Sequence, residues 1–267
     1  MIAILYSPKD AVSSNAAEAL ISSMDLEESG EGIHSSGGIM LRRMEAGLTG
    51  AAEADRFGAD LVIFMSRHSS SSGIPALTVH SLGNWGPEAR LGGIPRTLSM
   101  SAPSAMLEML RRFSRSGLGV AKTYEATHHG PALSTPSFFA EFGGDDALAV
   151  NKLIASELGG MVYEAADMIS RRKPECSKVV IGIGSNHYPR KFTRLALEKG
   201  YAFSHIMPKH AIVNGDGSNN ISMIGQAIKM SSEKVESAAI EWKSLSSAMR
   251  SDIIKELDGI GIGYERI

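Results

Sequence analysis

The sequence predicts an α/β protein, with a mixed, mostly parallel sheet flanked by helices. Three observations carry that expectation. Short, almost wholly apolar runs recur along the 267 residues, as they do in strands buried on both faces. Stretches with apolar residues every three or four positions separate them, the spacing of a helix that buries one side. The composition, 43% apolar and 21% charged, is that of a folded chain and excludes a disordered or fibrous one.

Taken in order, Met1–Tyr6 (MIAILY) reads as the first buried strand and Asn15–Met24 as the helix after it. Ala51–Arg56 reads as a helix end feeding a second buried strand, Leu61–Met65, and Leu77–His80 as a short third one. Met106, Leu110 and Phe113 share a helical face, with Pro103 suited to that helix's first turn. Val120–Ala126 alternates like a strand, Asp145–Leu158 is helical, and Lys178–Ile183 is again a buried strand. Phe192–Lys199 is a helix closed by Gly200, and the chain returns as a strand over Tyr201–Ile206. From Val235 through Ala238, Trp242, Leu245, Met249 and Ile253 to Leu257 the period predicts one long amphipathic helix over about 233–258. No repeat is visible, and Arg171–Pro174 reads as a connector within a single domain spanning 1–267.

One cysteine, Cys176, excludes an internal disulfide and any zinc site built on two thiolates. No apolar stretch approaches the ~20 residues of a membrane helix, and the opening MIAILYSPKD lacks a signal-peptide pattern. The expectation is a cytoplasmic protein without membrane contact, a monomer rather than an obligate oligomer. A net charge of −2 gives no global sign of nucleic-acid affinity.

The chemistry is expected from histidines. Six of the eight fall at or just after predicted strand ends, among them His68, His80, His128, His129, His187 and His205. Ligands of open α/β sheets bind beyond the carboxyl ends of strands, so these imidazoles are expected to share a pocket at that edge. Neutral imidazole is the commonest metal ligand, and no HExxH helix is present, so a metal site would be assembled from several loops. Adjacent His128 and His129 diverge unless the backbone bends between them. Glu125 precedes the pair, and Glu141 sits in an aromatic segment (SFFAEFGG) that suits a surface role poorly. Either carboxylate can ligate a metal, hold a ligand in place or act as a base. For Glu141 a contact with a basic side chain is the plain alternative. Gly182 and Gly184 do not complete a dinucleotide fingerprint, because His187 stands where its third glycine would be; they suit close approach of backbone amides to a ligand. Ser69–Ser72 reads as a loop at the pocket's lip. Arg190, Lys191 and Arg194 follow the His187 loop, where they can meet phosphates, although a solvated helix start explains them equally well.

At these residues the chain resembles a known family. Ser66-Arg67-His68, Leu77-Thr78-Val79-His80 with Gly83-Asn84, Ala126-Thr127-His128-His129-Gly130-Pro131, and Gly182-Ile183-Gly184-Ser185-Asn186-His187-Tyr188 with Phe192-Thr193 are similar to motifs of the archaeal and plant type of D-aminoacyl-tRNA deacylase. They run in order over about 1–210, and the chain beyond Gly217 carries no recognisable motif. The resemblance implies a core like that of peptidyl-tRNA hydrolase and nucleoside phosphorylase, and hydrolysis of the ester between a D-amino acid and tRNA. It also implies zinc, one or two ions per chain, either catalytic or structural. His68, His80, His128 and His187 become the expected ligands. His128, His129, Glu125 and Glu141 become the residues expected to carry the chemistry. Arg67, Asn84, Gly184, Arg190, Lys191 and Arg194 are expected to meet the D-aminoacyl-tRNA. Two other readings compete: a metal-dependent hydrolase or phosphorolytic enzyme for a small metabolite, and a noncatalytic RNA-binding module. Convergent neutral imidazoles argue against the last, since phosphates are met by Arg and Lys.

Overall fold

The computed structural model describes residues 1–69, 73–144, 151–213 and 217–267. The chain opens on β1 (Ile2–Tyr6), buried at every position. Asp10 caps α1 (Ala11–Ser23) by accepting the Ser13 N–H, so the helix starts four residues before the apolar pattern suggests. A ribbon of β2 (Glu27–Gly30), β3 (Ile33–Ser36) and β4 (Ile39–Arg43) follows, which the sequence hides. EESG is exposed throughout and IHSS half-buried at each position, so neither shows an alternation to read. Two 3₁₀ turns over Leu48–Arg56 lead into β5 (Leu61–His68). Next come β6 (Ala76–His80), the short pair β7 (Gly83–Asn84) and β8 (Thr97–Leu98), then α2 (Pro103–Ser114) and β9 (Ala121–Tyr124).

The strand β10 (Ser137–Gly143) is the largest departure from expectation. It is buried at all seven positions and lies at the heart of the larger sheet. That sheet runs in the order β2-β3-β4-β1-β5-β10-β6-β9. Strands β4, β1, β5 and β10 are mutually parallel, and β6 turns antiparallel to β10.

The second half begins with α3 (Lys152–Arg171), capped by Asn151 and extending well beyond Leu158; residues 145–150 of the expected helix lie outside the described residues. It continues through β11 (Lys178–Ser185), α4 (Arg190–Lys199), β12 (Tyr201–Pro208), α5 (Lys209–Ile212), α6 (Met223–Lys229) and β13 (Ser237–Ile240). It ends with α7 (Ser247–Ile260) and β14 (Gly263–Arg266). The single helix expected over 233–258 is therefore corrected. Its first part is β13, a 3₁₀ turn follows over Trp242–Ser244, and only α7, capped by Ser246, is α-helical. Val235 and Ala238 matched a helical period over too few residues to exclude a buried strand, and Ser237–Ile240 is buried throughout. Strands β12-β11-β13-β14 form a second, wholly parallel sheet. One hydrophobic core runs from Ile4 and Ile63 through Leu107, Leu110 and Phe113 of α2 to Phe203 and Ile240.

Candidate active site

The site is built on one face of the larger sheet. Side chains alternate along a strand, so Phe64, Ser66 and His68 of β5 share a face, as do Phe139 and Glu141 of β10. The register pairs Glu141 with Ser66 on one side and Thr78 on the other, and Phe139 with Phe64 and His80. Because β6 runs antiparallel, its last residue, His80, lands over the middle of β10, its ring parallel to Phe139 at 5.2 Å. The pocket expected at the carboxyl edge thus spreads across the face of the sheet instead.

Loops complete it. Glu125 follows β9 and donates its N–H to Val79; Ala126 donates to His187 O and Thr127 to Ile206 O, stitching this loop between the two sheets. His129 has φ +43°, a left-handed conformation that costs a non-glycine residue about 1 kcal/mol or more. This bend answers the divergence expected of adjacent histidines. The rings of His128 and His129 lie 4.4 Å apart, and 4.1 and 4.9 Å from His80. His187 comes from the second sheet and stands 4.8 Å from His128. All five histidines meet in one cluster.

Two carboxylates bind the cluster together. Glu125 Oε1 lies 3.3 Å from His68 Nδ1 and 3.2 Å from His187 Nε2. Glu141 reaches His68 Nδ1 at 3.5 Å and His80 Nε2 at 3.7 Å, and accepts the Ser66 hydroxyl at 2.6 Å. Burial opposes a charge on His68, but the two carboxylates outweigh it and lift the imidazole to about 11. Burial also works against the His80 cation, which Glu141 nonetheless raises above its ordinary value. Burial favours the neutral acid at Glu125 and Glu141 as well. Their imidazole neighbours, His187 and His68 at Glu125, His68 and His80 at Glu141, prevail and hold both well below the usual carboxylate range. Burial, then the charge on His80, pushes His128 far down and His129 down to about 4.

These residues fit a metal ion on two counts. The Nδ1 atoms of His80, His128 and His129 face the carbonyls of Ser81, Ala126 and Gly130 at 3.1, 2.8 and 2.8 Å. A carbonyl only accepts, so each Nδ1 carries a proton, and in neutral His128 and His129 Nε2 is left for a ligand, as second partners arrange ligating histidines. In addition, His80 Nε2 and both Glu125 oxygens are buried without a hydrogen bond. The imidazoles near Glu125 are close enough but misaligned. Three overlapping sets have ligand atoms within 4.8 Å of one another: His80, His128 and His129; Glu125, His128 and His187; His68, Glu125 and Glu141. Nitrogen and oxygen donors in such sets suit zinc.

The other expected residues are scattered. Asn84 lines a cleft of about 630 Å³ over His128, His129 and His187, but its amide also donates to Gly92 O and Ile94 O. Arg67 lines a smaller cavity of about 240 Å³ that also reaches Glu141 and His129. Arg190 and Arg194 border a third hollow of about 540 Å³ beside Tyr188, whereas Lys191 turns to Glu241 at 3.4 Å. Gly184 and Gly182 do not open the backbone to a ligand. A side chain at Gly182 would meet Phe192 at 2.8 Å, and Gly184 holds φ +91° with Leu245 at 3.0 Å from any added side chain, so packing explains the first and backbone conformation the second. Of the serine loop, residues 70–72 lie outside the described residues.

Sequence reasoning missed Ser66, Tyr188 and Thr127. The Tyr188 oxygen stands 2.9 Å from His68 Nε2, which as an imidazolium donates to it. Thr127 Oγ1 sits between Ser81 Oγ at 2.7 Å and His205 Nδ1 at 3.2 Å. The alternation through β5 points to Ser66, two residues before His68; Thr127 and Tyr188 stand inside quoted motifs, beside His128 and His187, but no local pattern gives either a role.

A mixed α/β fold carrying a buried imidazole–carboxylate cluster under an open cleft defines the class: a protein equipped to hold a cation and move protons beside a bound molecule. Residues 56–265 match the family model described as D-aminoacyl-tRNA deacylase. A D-aminoacyl-tRNA deacylase of Pyrococcus furiosus is 38% identical over 200 residues, 74% of this chain and 70% of that protein. One from Methanosarcina barkeri is 37% identical over 209 residues, 76% of this chain and 64% of the relative. The crystal structure of a conserved protein of unknown function superposes with a TM-score of 0.85 at 26% identity, covering 99% of this chain and 94% of the other. The chain belongs to the D-aminoacyl-tRNA deacylase family. The match continues to residue 265, past Gly217, where recognisable motifs stop, and begins at residue 56 rather than at Met1.

Proposed function

We propose that this protein hydrolyses the ester joining a D-amino acid to the 3′ end of tRNA, releasing both, with zinc held by the histidine–glutamate cluster. Family membership makes the chain a hydrolase of the aminoacyl-tRNA ester. The observation that carries the reading is the convergence of five histidines and two buried glutamates beneath the 630 Å³ cleft. Glu125 with His128 and His187 is the set that would hold zinc, which leaves Nε2 of His129 free. When bound there, zinc supplies Lewis acidity, bringing the pKa of a water toward ~7. Glu141, ionised and shielded from solvent, holds the His68 and His80 rings in place through its carboxylate oxygens. His129, neutral at pH 7 with its Nδ1 proton given to Gly130 O, presents Nε2 as a base and, once protonated, an acid toward the ribose hydroxyl that departs. Tyr188 fixes the His68 ring through its Nε2. Arg190 and Arg194 supply local positive charge for acceptor-end phosphates, which the net charge of −2 does not. Among the described residues no helix is long and apolar enough to cross a membrane.

The deciding experiment compares deacylation of D-tyrosyl-tRNA and L-tyrosyl-tRNA by the purified protein, with chelator and after zinc is restored. Turnover of the D-ester that vanishes with chelator and returns with zinc supports the reading. Full turnover in a preparation free of metal removes the zinc, and indifference to chirality removes the substrate.

A further inference from the structure

An aminoacyl ester leaves its reacting carbonyl in two directions, toward the amino acid and toward the ribose. The cluster likewise opens in two directions. His129 lines both the 630 Å³ cleft and the 240 Å³ cavity, so the two meet at that side chain. Pockets for nucleoside- or drug-sized ligands run from about 300 to 1,000 Å³, which includes the cleft and excludes the cavity. The linings differ accordingly. The cleft is lined by Trp85 and Asn84; the Asn84 amide nitrogen is given to Gly92 O and Ile94 O, so its oxygen is what can accept from a base. The cavity offers Leu48 and Phe139, both buried, beside the carboxylates of Asp10 and Glu141, with Lys9 and Arg67 also in its wall. Asp10 Oδ1 accepts the Ser13 N–H at 3.0 Å and Oδ2 the Arg67 N–H at 2.6 Å, which fix the carboxylate in place. A carboxylate has about four acceptor sites, so it retains capacity for an ammonium. The third hollow, beside Tyr188, is lined by no member of the cluster's carboxylates.

We propose that the 240 Å³ cavity is the aminoacyl pocket. It takes the D-amino acid, with the α-ammonium toward Asp10 and the side chain along Leu48 and Phe139, while the terminal nucleoside occupies the larger cleft. This rests on the deacylase reading above and adds to it the determinant of which amino acids are accepted.

Gly47 provides the test. It lines the cavity at φ −65°, and a side chain added there would meet nothing within 4 Å, so the chain tolerates a larger residue. The Gly47→Leu variant narrows the cavity; Ala121→Leu narrows the hollow beside Tyr188 instead. The quantity read is the ratio of kcat/KM on D-tyrosyl-tRNA to that on D-alanyl-tRNA, in which misfolded protein cancels. In Gly47→Leu this ratio should fall about 10- to 100-fold, the worth of a few misfitted methylenes. In Ala121→Leu it should stay at the parent's value. An unchanged ratio in Gly47→Leu, or a fall in Ala121→Leu alone, overturns the proposal while leaving the deacylase reading intact. A parent protein inactive on every D-aminoacyl-tRNA overturns both.

Discussion

Replacing His205 by Gln should remove about 3 kcal/mol of acid-sensitive stability from the fold. His205 is 1% exposed; its Nε2 faces Met230 O at 2.9 Å and its Nδ1 faces Thr127 Oγ1 at 3.2 Å. The carbonyl requires a proton on Nε2, leaving Nδ1 to accept from the threonine, so the neutral ring is satisfied at both ends. Burial brings the imidazole from its ordinary 6.5 down to about 4. Between those values the unfolded chain binds a proton that the folded chain refuses. The contribution is therefore complete above pH 6.5 and is lost as pH falls toward 4. At about 1.4 kcal/mol per pH unit the interval amounts to roughly 3 kcal/mol, with no screening to discount because the ring is shielded from solvent. Gln keeps a donor for Met230 and does not titrate. Urea unfolding of parent and variant at half-unit steps from pH 7.5 to 4, with chelator throughout, measures the difference. The parent curve should fall through the variant's toward low pH. Parallel curves would refute the argument, because they would mean that the folded state accommodates the imidazolium.

Three further outcomes are expected. The His128→Ala variant should lose about 100-fold or more in kcat/KM, because it removes a nitrogen that would hold zinc, while its unfolding midpoint in chelator moves little; a loss of stability matching the loss of rate would make His128 a packing residue. Arg190→Glu and Arg194→Glu should each lower the slope of log affinity for tRNA against log salt by about one and spare a minimal aminoacyl-adenosine substrate, whereas Lys191→Glu should do less because Glu241 already engages that lysine; equal losses on both substrates would show that these arginines support the site itself. Gly159→Ala in α3 gains helix propensity, yet its methyl would sit 2.8 Å from Ala16 O of α1, so thermal or urea unfolding should show a net loss of about 1–3 kcal/mol, and a more stable variant would contradict the packing.

What the sequence disclosed follows from how locally each feature is encoded. β1, β5 and β11 are buried on both faces, so apolarity alone marks them. His68, His80, His128, His129 and His187 could be grouped because each closes or follows such a strand. That they lie on the face and not the edge could not be read, since it depends on β6 running antiparallel to β10. Strand β10 itself was hidden by its own chemistry: Glu141 and two flanking glycines interrupt a run that is otherwise aromatic. The division into two sheets was equally hidden, because four residues of β13 fit a helical period as well as a strand.

The costs in this molecule collect at one place. His129 holds a left-handed backbone, Glu125 and Glu141 stay ionised out of water, and His80 Nε2 has no hydrogen bond. The strained backbone and the unpaired nitrogen lower the stability of the folded state, the buried carboxylates stand because imidazole neighbours offset their desolvation, and none of these is needed to form either sheet. They persist because the surroundings are rigid on both sides. Phe64 stacks on Phe139 beneath the cluster at 4.6 Å, and the loop carrying Glu125, Ala126, Thr127 and His128 is tied at each residue, to Val79, His187, Ile206 and Leu82. A fold selected for stability alone would fill this face with more phenylalanine. Glu125 carries the argument furthest: its oxygens lie against His68 from one sheet and His187 from the other, so the site exists only once both sheets have met. Removing that carboxylate would leave the buried His68 imidazolium to Glu141 alone, at 3.5 Å, and would break the link to His187, at a loss of stability. Chemistry at the cluster and docking of the second sheet are thereby fixed by the same atoms.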